Sequence, residues 1–188
     1  MNNDISDLKL LAKHQGKNVE IISNIILDDP KFSTWWGGLK GQHHDFVGGL
    51  AKHTKEVVDL SFNSLVVLNI DDVDNTELFF SVLFHDAGKM YDYERVTDEL
   101  FIATPHKRLI HHISRSALIW SHAIKNDEEL NHKYHDLVLH NILSHHGHRE
   151  WGSPVAPKTR AAWLLHLSDA ISARMNDCDR LDLAVPKK

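Results

Sequence analysis

Apolar residues recur at three- and four-residue steps along nearly the whole chain, and this spacing directs it to an all-α fold. Ile5, Leu8, Leu11 and Ala12 predict a short first helix. Val19, Ile22, Ile25 and Ile26 predict a second, stopped by Asp29-Pro30. Residues 33–43, with Trp35-Trp36-Gly37-Gly38, read as a loop. Gly48-Gly49 precedes a long helix in which Leu50, His53, Val57, Leu60 and Ser61 share one face. The apolar run Leu78-Phe79-Phe80-Ser81-Val82-Leu83-Phe84 predicts a hydrophobic helix, capped by Asn75-Thr76 and ending on His85-Asp86. Further helices are expected over Leu109–Ile124, Tyr134–Ser144 and Thr159–Met175, with a small hairpin near residues 91–103 around Thr97-Asp98-Glu99. The organisation that follows is an amino-terminal helical extension (1–43) packed on the core, a helical domain (44–176) and a frayed tail (177–188).

A chain of 188 residues is long enough for one well-filled core. No run approaches the roughly 18 apolar residues that span a bilayer, and no signal-peptide pattern opens the chain, so no membrane partner is expected. The single cysteine, Cys178, excludes an internal disulfide and fits a reducing, cytoplasmic setting. A net charge of −5 argues against an extended basic surface for nucleic acid. Histidine is the abnormal component: there are 16, and they cluster.

An imidazole beside a carboxylate can hold a divalent cation, but with so many histidines chance alone yields roughly 1.5 His-Asp dipeptides. The chain has three: His44-Asp45, His85-Asp86 and His135-Asp136. The middle pair stands out by its company, namely His53, His112, His145, His146 and Asp169, which fall in or at the end of different predicted helices. Inward-facing residues on facing helices converge in a bundle. Mixed imidazole and carboxylate ligation suits Mn²⁺, Fe, Zn²⁺, Ni²⁺ or Co²⁺ better than Ca²⁺. Four ligands would hold one ion, and six would hold two about 3.5–4 Å apart. Each residue also has a plain structural alternative: His53 as a core histidine, Asp169 as an acceptor for a helix end, His145-His146 as partners of a helix C-terminus. One metal site accounts for all of them together. The other two dipeptides are expected to have no catalytic role.

The stretches Gly48-Gly49-Leu50-Ala51-Lys52-His53-Thr54, Leu83-Phe84-His85-Asp86-Ala87-Gly88-Lys89 and Leu109-Ile110-His111-His112-Ile113 resemble the HD-domain metal-dependent phosphohydrolases. Ile142-Leu143-Ser144-His145-His146-Gly147, Gly152-Ser153-Pro154, Pro157-Lys158-Thr159 and Leu165-His166-Leu167-Ser168-Asp169 narrow the likeness to the HD domain of YhaM-type 3′-5′ exoribonucleases. The resemblance covers roughly residues 42–176 and implies an HD-domain helical bundle. It implies His53, His85, Asp86, His112, His145, His146 and Asp169 as metal ligands, with His111 as an alternative register for His112. The metal would be one or two divalent ions of Mn, Fe, Ni, Co, Zn or Mg. Lys89 matches the lysine of the His-Asp-x-Gly-Lys variant, expected near the substrate phosphate; its alternative is a solvated helix-end lysine. Two departures stand out. Residues 1–41 read as helices and a loop where YhaM-type enzymes carry an amino-terminal OB-fold, which directs expectation to short substrates. Ala170 and Ser172 stand where that branch is expected to carry acidic residues.

The chemistry expected is phosphoester hydrolysis by a metal-activated water. Asp86 would bridge two ions or orient the water. His53, His85 and Asp169 would serve the first ion, and His112, His145 and His146 the second. Lys89 and Arg115 would offset developing negative charge, unless Arg115 is an ordinary surface residue. Trp35, Trp36 and Trp151 are candidates for stacking on a base, with core packing the alternative. The expected partner is a nucleotide or a short single-stranded nucleic acid. Competing functions are a dNTP or cyclic-nucleotide phosphohydrolase, a non-catalytic nucleotide- or metal-binding module, and a structural metal site.

Overall fold

The structure is a computed structural model that describes residues 3–178. Helices α1 (Asn3–Gln15), α2 (Lys17–Leu27) and α3 (Pro30–Thr34) come first, followed by a long loop and α4 (Gly49–Val67). Then come α5 (Asn75–Phe84), α6 (Lys89–Asp92), strands β1 (Tyr93–Thr97) and β2 (Leu100–Ala103), and α7 (Pro105–Leu109). Helices α8 (His112–Ile124), α9 (Glu128–Ser144) and α10 (Arg160–Cys178) complete the order, with one 3₁₀ turn at Arg149–Trp151.

Helix α5 is the centre. Every residue from Glu77 to Phe84 is buried, as a helix without a polar face must be. It packs against α4, α8, α9 and α10, so its C-terminal end delivers His85 and Asp86 into the middle of the bundle. Phe80 and Phe84 meet Trp120 of α8 at ring-centroid separations of 5.0 and 5.2 Å. Helices α1 and α2 pair with each other and lie on α4 and α5, where Leu8, Ile22 and Ile26 join the main core.

The hairpin is present, with Tyr93 opposite Ala103 and a register shift between Arg95 and Thr97. Its Tyr93 and Phe101 form a small second core with Trp36. Trp36 stacks on Phe101 at 4.8 Å, and Trp35 Nε1–H donates to the Tyr93 carbonyl at 3.2 Å. Both tryptophans are therefore packing residues, and they tether the loop that carries His43 and His44.

Four local expectations need correction. The cap of α5 is Asp74, whose carboxylate accepts the N–H groups of Thr76 and Glu77. Helix α9 begins at Glu128 rather than Tyr134, because Asp127 accepts the Leu130 N–H. The helix expected from Leu109 is broken: α7 ends there, Ile110 closes it, and His111 has φ +68° before α8 starts at His112. Helix α10 runs through Asp177 to Cys178, and the rest of the expected tail, 179–188, lies outside the described residues.

Candidate metal centre

The buried end of α5 is surrounded by histidines from α4, α8 and the end of α9 and by an aspartate from α10. Asp86, 2% exposed, has its two carboxylate oxygens turned to two different groups. Oδ2 lies 3.5 Å from His53 Nε2 and 3.4 Å from His85 Nε2. Oδ1 lies 3.5 Å from His112 Nε2 and 3.8 Å from His145 Nε2. Asp169 on α10 joins the first group, its Oδ1 being 3.1 Å from His53 Nε2. His146 joins the second, and ligand atoms of His112, His145 and His146 all lie within 4.8 Å of one another. His53, His85 and Asp86 form the matching trio on the other side.

The imidazoles are oriented alike. His85 Nδ1 faces the Val82 carbonyl at 2.6 Å, His145 Nδ1 the Ile142 carbonyl at 2.7 Å and His146 Nδ1 the Trp151 carbonyl at 2.7 Å. His53 Nδ1 meets Ser172 Oγ at 2.9 Å, and His112 Nδ1 meets Asp92 Oδ2 at 3.3 Å. A proton on Nδ1 makes Nε2 the atom that each ring would offer to a metal, the arrangement that outer partners impose on metal-binding histidines. His112 Nε2, His145 Nε2 and Asp86 Oδ1 are buried without any hydrogen-bond partner. Buried polar atoms are ordinarily satisfied, so three converging orphans, all good ligand atoms, fit a divalent cation.

The electrostatics agree. Burial works against charge on Asp86, but Lys89 and then His85 outweigh it and hold the carboxyl well below its usual range. Burial likewise opposes charge on Asp169 and is outweighed by the His53 hydrogen bond, so this carboxyl is also held down. Burial lowers His53, and lowers His145 well below the usual imidazole range. It brings His112 down to about 4 despite the Asp92 hydrogen bond. Only His85 moves up, its burial outweighed by Asp86. The ionised carboxylates and the lowered imidazoles of His53, His112 and His145 are in the protonation states a metal requires, whereas His85 in the absence of a cation leans toward its charged form beside Asp86.

Two glycines make the convergence possible. A Cβ on Gly88 would lie 2.2 Å from the His112 carbonyl oxygen, so only glycine lets the α5–α6 turn close on the start of α8. Gly147 has φ +80°, and a Cβ there would strike the His166 ring at 2.4 Å. His166 Nδ1 in turn meets the His145 carbonyl at 2.8 Å and fixes the His145-His146 turn.

Of the residues singled out in the sequence, His53, His85, Asp86, His112, His145, His146, Asp169 and Lys89 come together. His112 rather than His111 reaches Asp86. Arg115 does not join them: its Nε donates to His106 Nε2 at 3.0 Å and its guanidinium lies 4.9 Å from the Tyr91 ring centroid. Its stem is held against the start of α6, since a Gly88 Cβ would also meet Arg115 Cβ at 2.9 Å. Sequence reasoning missed Asp92, which accepts both the backbone N–H and Nδ1 of His112 and also meets His106. It also missed His43, half-buried beside His53 and brought down to about 2 mainly by desolvation and secondly by Lys89. His135-Asp136 is a surface pair remote from the cluster.

Two adjoining cavities open on the cluster. The larger, about 650 Å³, runs past His112 to Tyr93 and Lys107; the smaller, about 230 Å³, runs past Asp169 to Trp151 and Ala173. His43, Lys89, His146, Arg174 and Asp177 line both, with Arg174 Nη1 3.6 Å from Asp177 Oδ2. Trp151 is 60% exposed at the rim. Among the described residues, no helix is long and apolar enough to cross a membrane.

Comparison with known proteins gives a consistent result. The family model of the HD domain matches residues 50–174. The 3′-5′ exoribonuclease YhaM of Bacillus pumilus is 35% identical over 140 residues, which is 73% of this chain and 42% of that protein. The YhaM proteins of Shouchella clausii and Bacillus subtilis are 36% and 34% identical, again over 73% of this chain and 42% of theirs. The chain thus spans less than half the length of these relatives. No solved structure matches it.

Proposed function

Because the chain belongs to the HD-domain family, we propose that it is a metal-dependent phosphohydrolase that cleaves phosphodiester bonds in short single-stranded nucleic acid, in the manner of a 3′-5′ exoribonuclease. The observation that carries this reading is Asp86, a buried carboxylate with one oxygen toward His53 and His85 and the other toward His112 and His145. A divalent ion held on either side by these residues would supply an acidified water and polarise the phosphoryl oxygens.

The protein's own residues do the rest. His53, His85 and Asp169 hold one side of the centre, His112, His145 and His146 the other, and Asp86 is common to both. Lys89, enclosed at the floor of both cavities, keeps a positive charge where negative charge develops on the phosphoryl group. A lobe on each side of the centre suits a phosphodiester with a nucleoside on either hand. Lys107 and Arg174 offer charge to flanking phosphates, and Trp151 offers a stacking face to a base. Arg115, turned to His106, has no part in this scheme.

The test is a panel of single-stranded RNA, dNTPs, cyclic nucleotides and a generic phosphodiester, each with Mn²⁺, on wild type and Asp86→Asn. Short RNA and the phosphodiester should be cut by wild type, and nothing by the variant. Undiminished turnover in Asp86→Asn would overturn the mechanism. Wild-type protein that holds metal yet hydrolyses none of the panel would instead be a binding module.

A further inference from the structure

The His44-Asp45 dipeptide has an unexpected place. His44 is fully buried and fixed by its own backbone: its N–H donates to Asn176 Oδ1 at 2.6 Å and its carbonyl accepts from Gly37 N–H at 2.9 Å. From there its Nε2 reaches Glu56 Oε2 at 3.0 Å. The Ser172 hydroxyl donates to that same oxygen at 2.8 Å. Glu56 thus sits one turn beyond His53 on α4, with Oε2 held by two donors and Oε1 3.3 Å from Lys52 Nζ.

The direction of these bonds follows from proton counting. Burial opposes charge on Glu56, but the His44 and Ser172 hydrogen bonds bring it down to about 2, so at neutral pH it only accepts. The one Ser172 proton therefore points at Glu56, since any other orientation would set two oxygens lone pair to lone pair at 2.8 Å. Ser172 Oγ then has only lone pairs left for His53 Nδ1, 2.9 Å away. His53 must supply the proton at Nδ1, so Nε2, on the side of Asp86 and Asp169, is the atom it would offer to a metal.

We propose that Glu56 is a positioning residue of the centre, acting through Ser172 to hold His53 in the form that binds metal, with His44 as the clamp that keeps Glu56 in place. This rests on the metal-centre reading above. It also explains why position 172 needs no acid: a neighbouring helix supplies the carboxylate and the serine relays it. His112 is served differently, by direct contact with Asp92.

The experiment uses Zn²⁺ alone as a diamagnetic probe on the full chain, measuring affinity by competition with a chelator and the His53 Nδ1–H resonance of the loaded protein by NMR. Glu56→Leu frees the Ser172 proton to compete for His53 Nδ1, and affinity should fall about 10–100-fold, as for loss of other outer partners of metal-bound histidines, with the Nδ1–H signal shifted and losing its exchange protection. Glu56→Gln should remain near wild type in both readouts, because both donors use one oxygen and an amide still presents one. Ser172→Ala should reproduce the loss, and it decides the matter if Glu56→Leu does not fold. Wild-type affinity and an unmoved Nδ1–H signal in Ser172→Ala or a folded Glu56→Leu would overturn the relay alone. Failure of the wild-type protein to take up any metal would overturn the centre itself and the relay with it.

Discussion

Lys89 Nζ lies 2.6 Å from Asp86 Oδ2, an ion pair across the α5–α6 turn whose side chains are 7% and 2% exposed. Burial opposes charge on the lysine, but Asp86 outweighs it and raises its pKa, so the cation persists at the floor of the cavities. Replacing Lys89 by Gln should leave metal content unchanged by elemental analysis while lowering kcat about 10²–10³-fold, the usual cost of losing one charge-stabilising donor. Unchanged turnover would reduce Lys89 to a structural counter-ion.

Gly88→Ala should be far more damaging than an ordinary exchange of these small residues. Its new Cβ would lie 2.2 Å from the His112 carbonyl, and backbone on one side must move. Urea denaturation should show a loss of about 1–3 kcal/mol, as for other overpacked sites. Metal affinity should fall with it, because the displaced segments carry Asp86 and His112.

Much of this centre was legible because helices place their ends and faces regularly. His53 on an apolar face, His85-Asp86 after an apolar run, His145-His146 before a glycine and Asp169 after another apolar run all follow from that regularity. What escaped depends on non-helical backbone. His44 and His111 have φ of +54° and +68°, a conformation that few residues other than glycine adopt and that no hydrophobic period reports. The turn at His111 sets His112 as the first residue of α8 and brings Asp92 to its N–H, so neither Asp92 nor the fate of Arg115 was readable from spacing. The α5 cap was misread by one residue, since Asp74 and Asn75 are both good caps and only the geometry selects between them.

Asp74 ties that cap to acid stability. Its burial works against charge, yet Lys133, the Glu77 N–H and Tyr134 together lower its pKa. A depressed folded-state pKa contributes stability that is present above the unfolded value of about 3.9 and is lost as pH falls through the folded value. Asp74→Ala should therefore cost about 1 kcal/mol at neutral pH in chemical denaturation. The gap to wild type should narrow only below about pH 4. A gap that persisted unchanged in acid would assign the effect to packing.

Trp151 separates substrate grip from chemistry. It stands 60% exposed at the rim of the smaller cavity, and its ring packs against His148 and His166. Trp151→Ala should raise KM for a short RNA by the equivalent of about 1–3 kcal/mol of stacking, with kcat for a small generic phosphodiester unchanged. Equal KM values would remove it from the binding path.

The single carboxylate shared between two sets of histidines has a thermodynamic consequence. Were a cation to bind on one side of Asp86, the negative charge it drew would no longer be fully available to the other, so two cations could not bind independently. Their occupancies would be linked, and by reciprocity whatever the first cation did to the affinity for the second, the second would do equally to the first. The protein would then respond to metal supply as one coupled unit rather than as two separate sites.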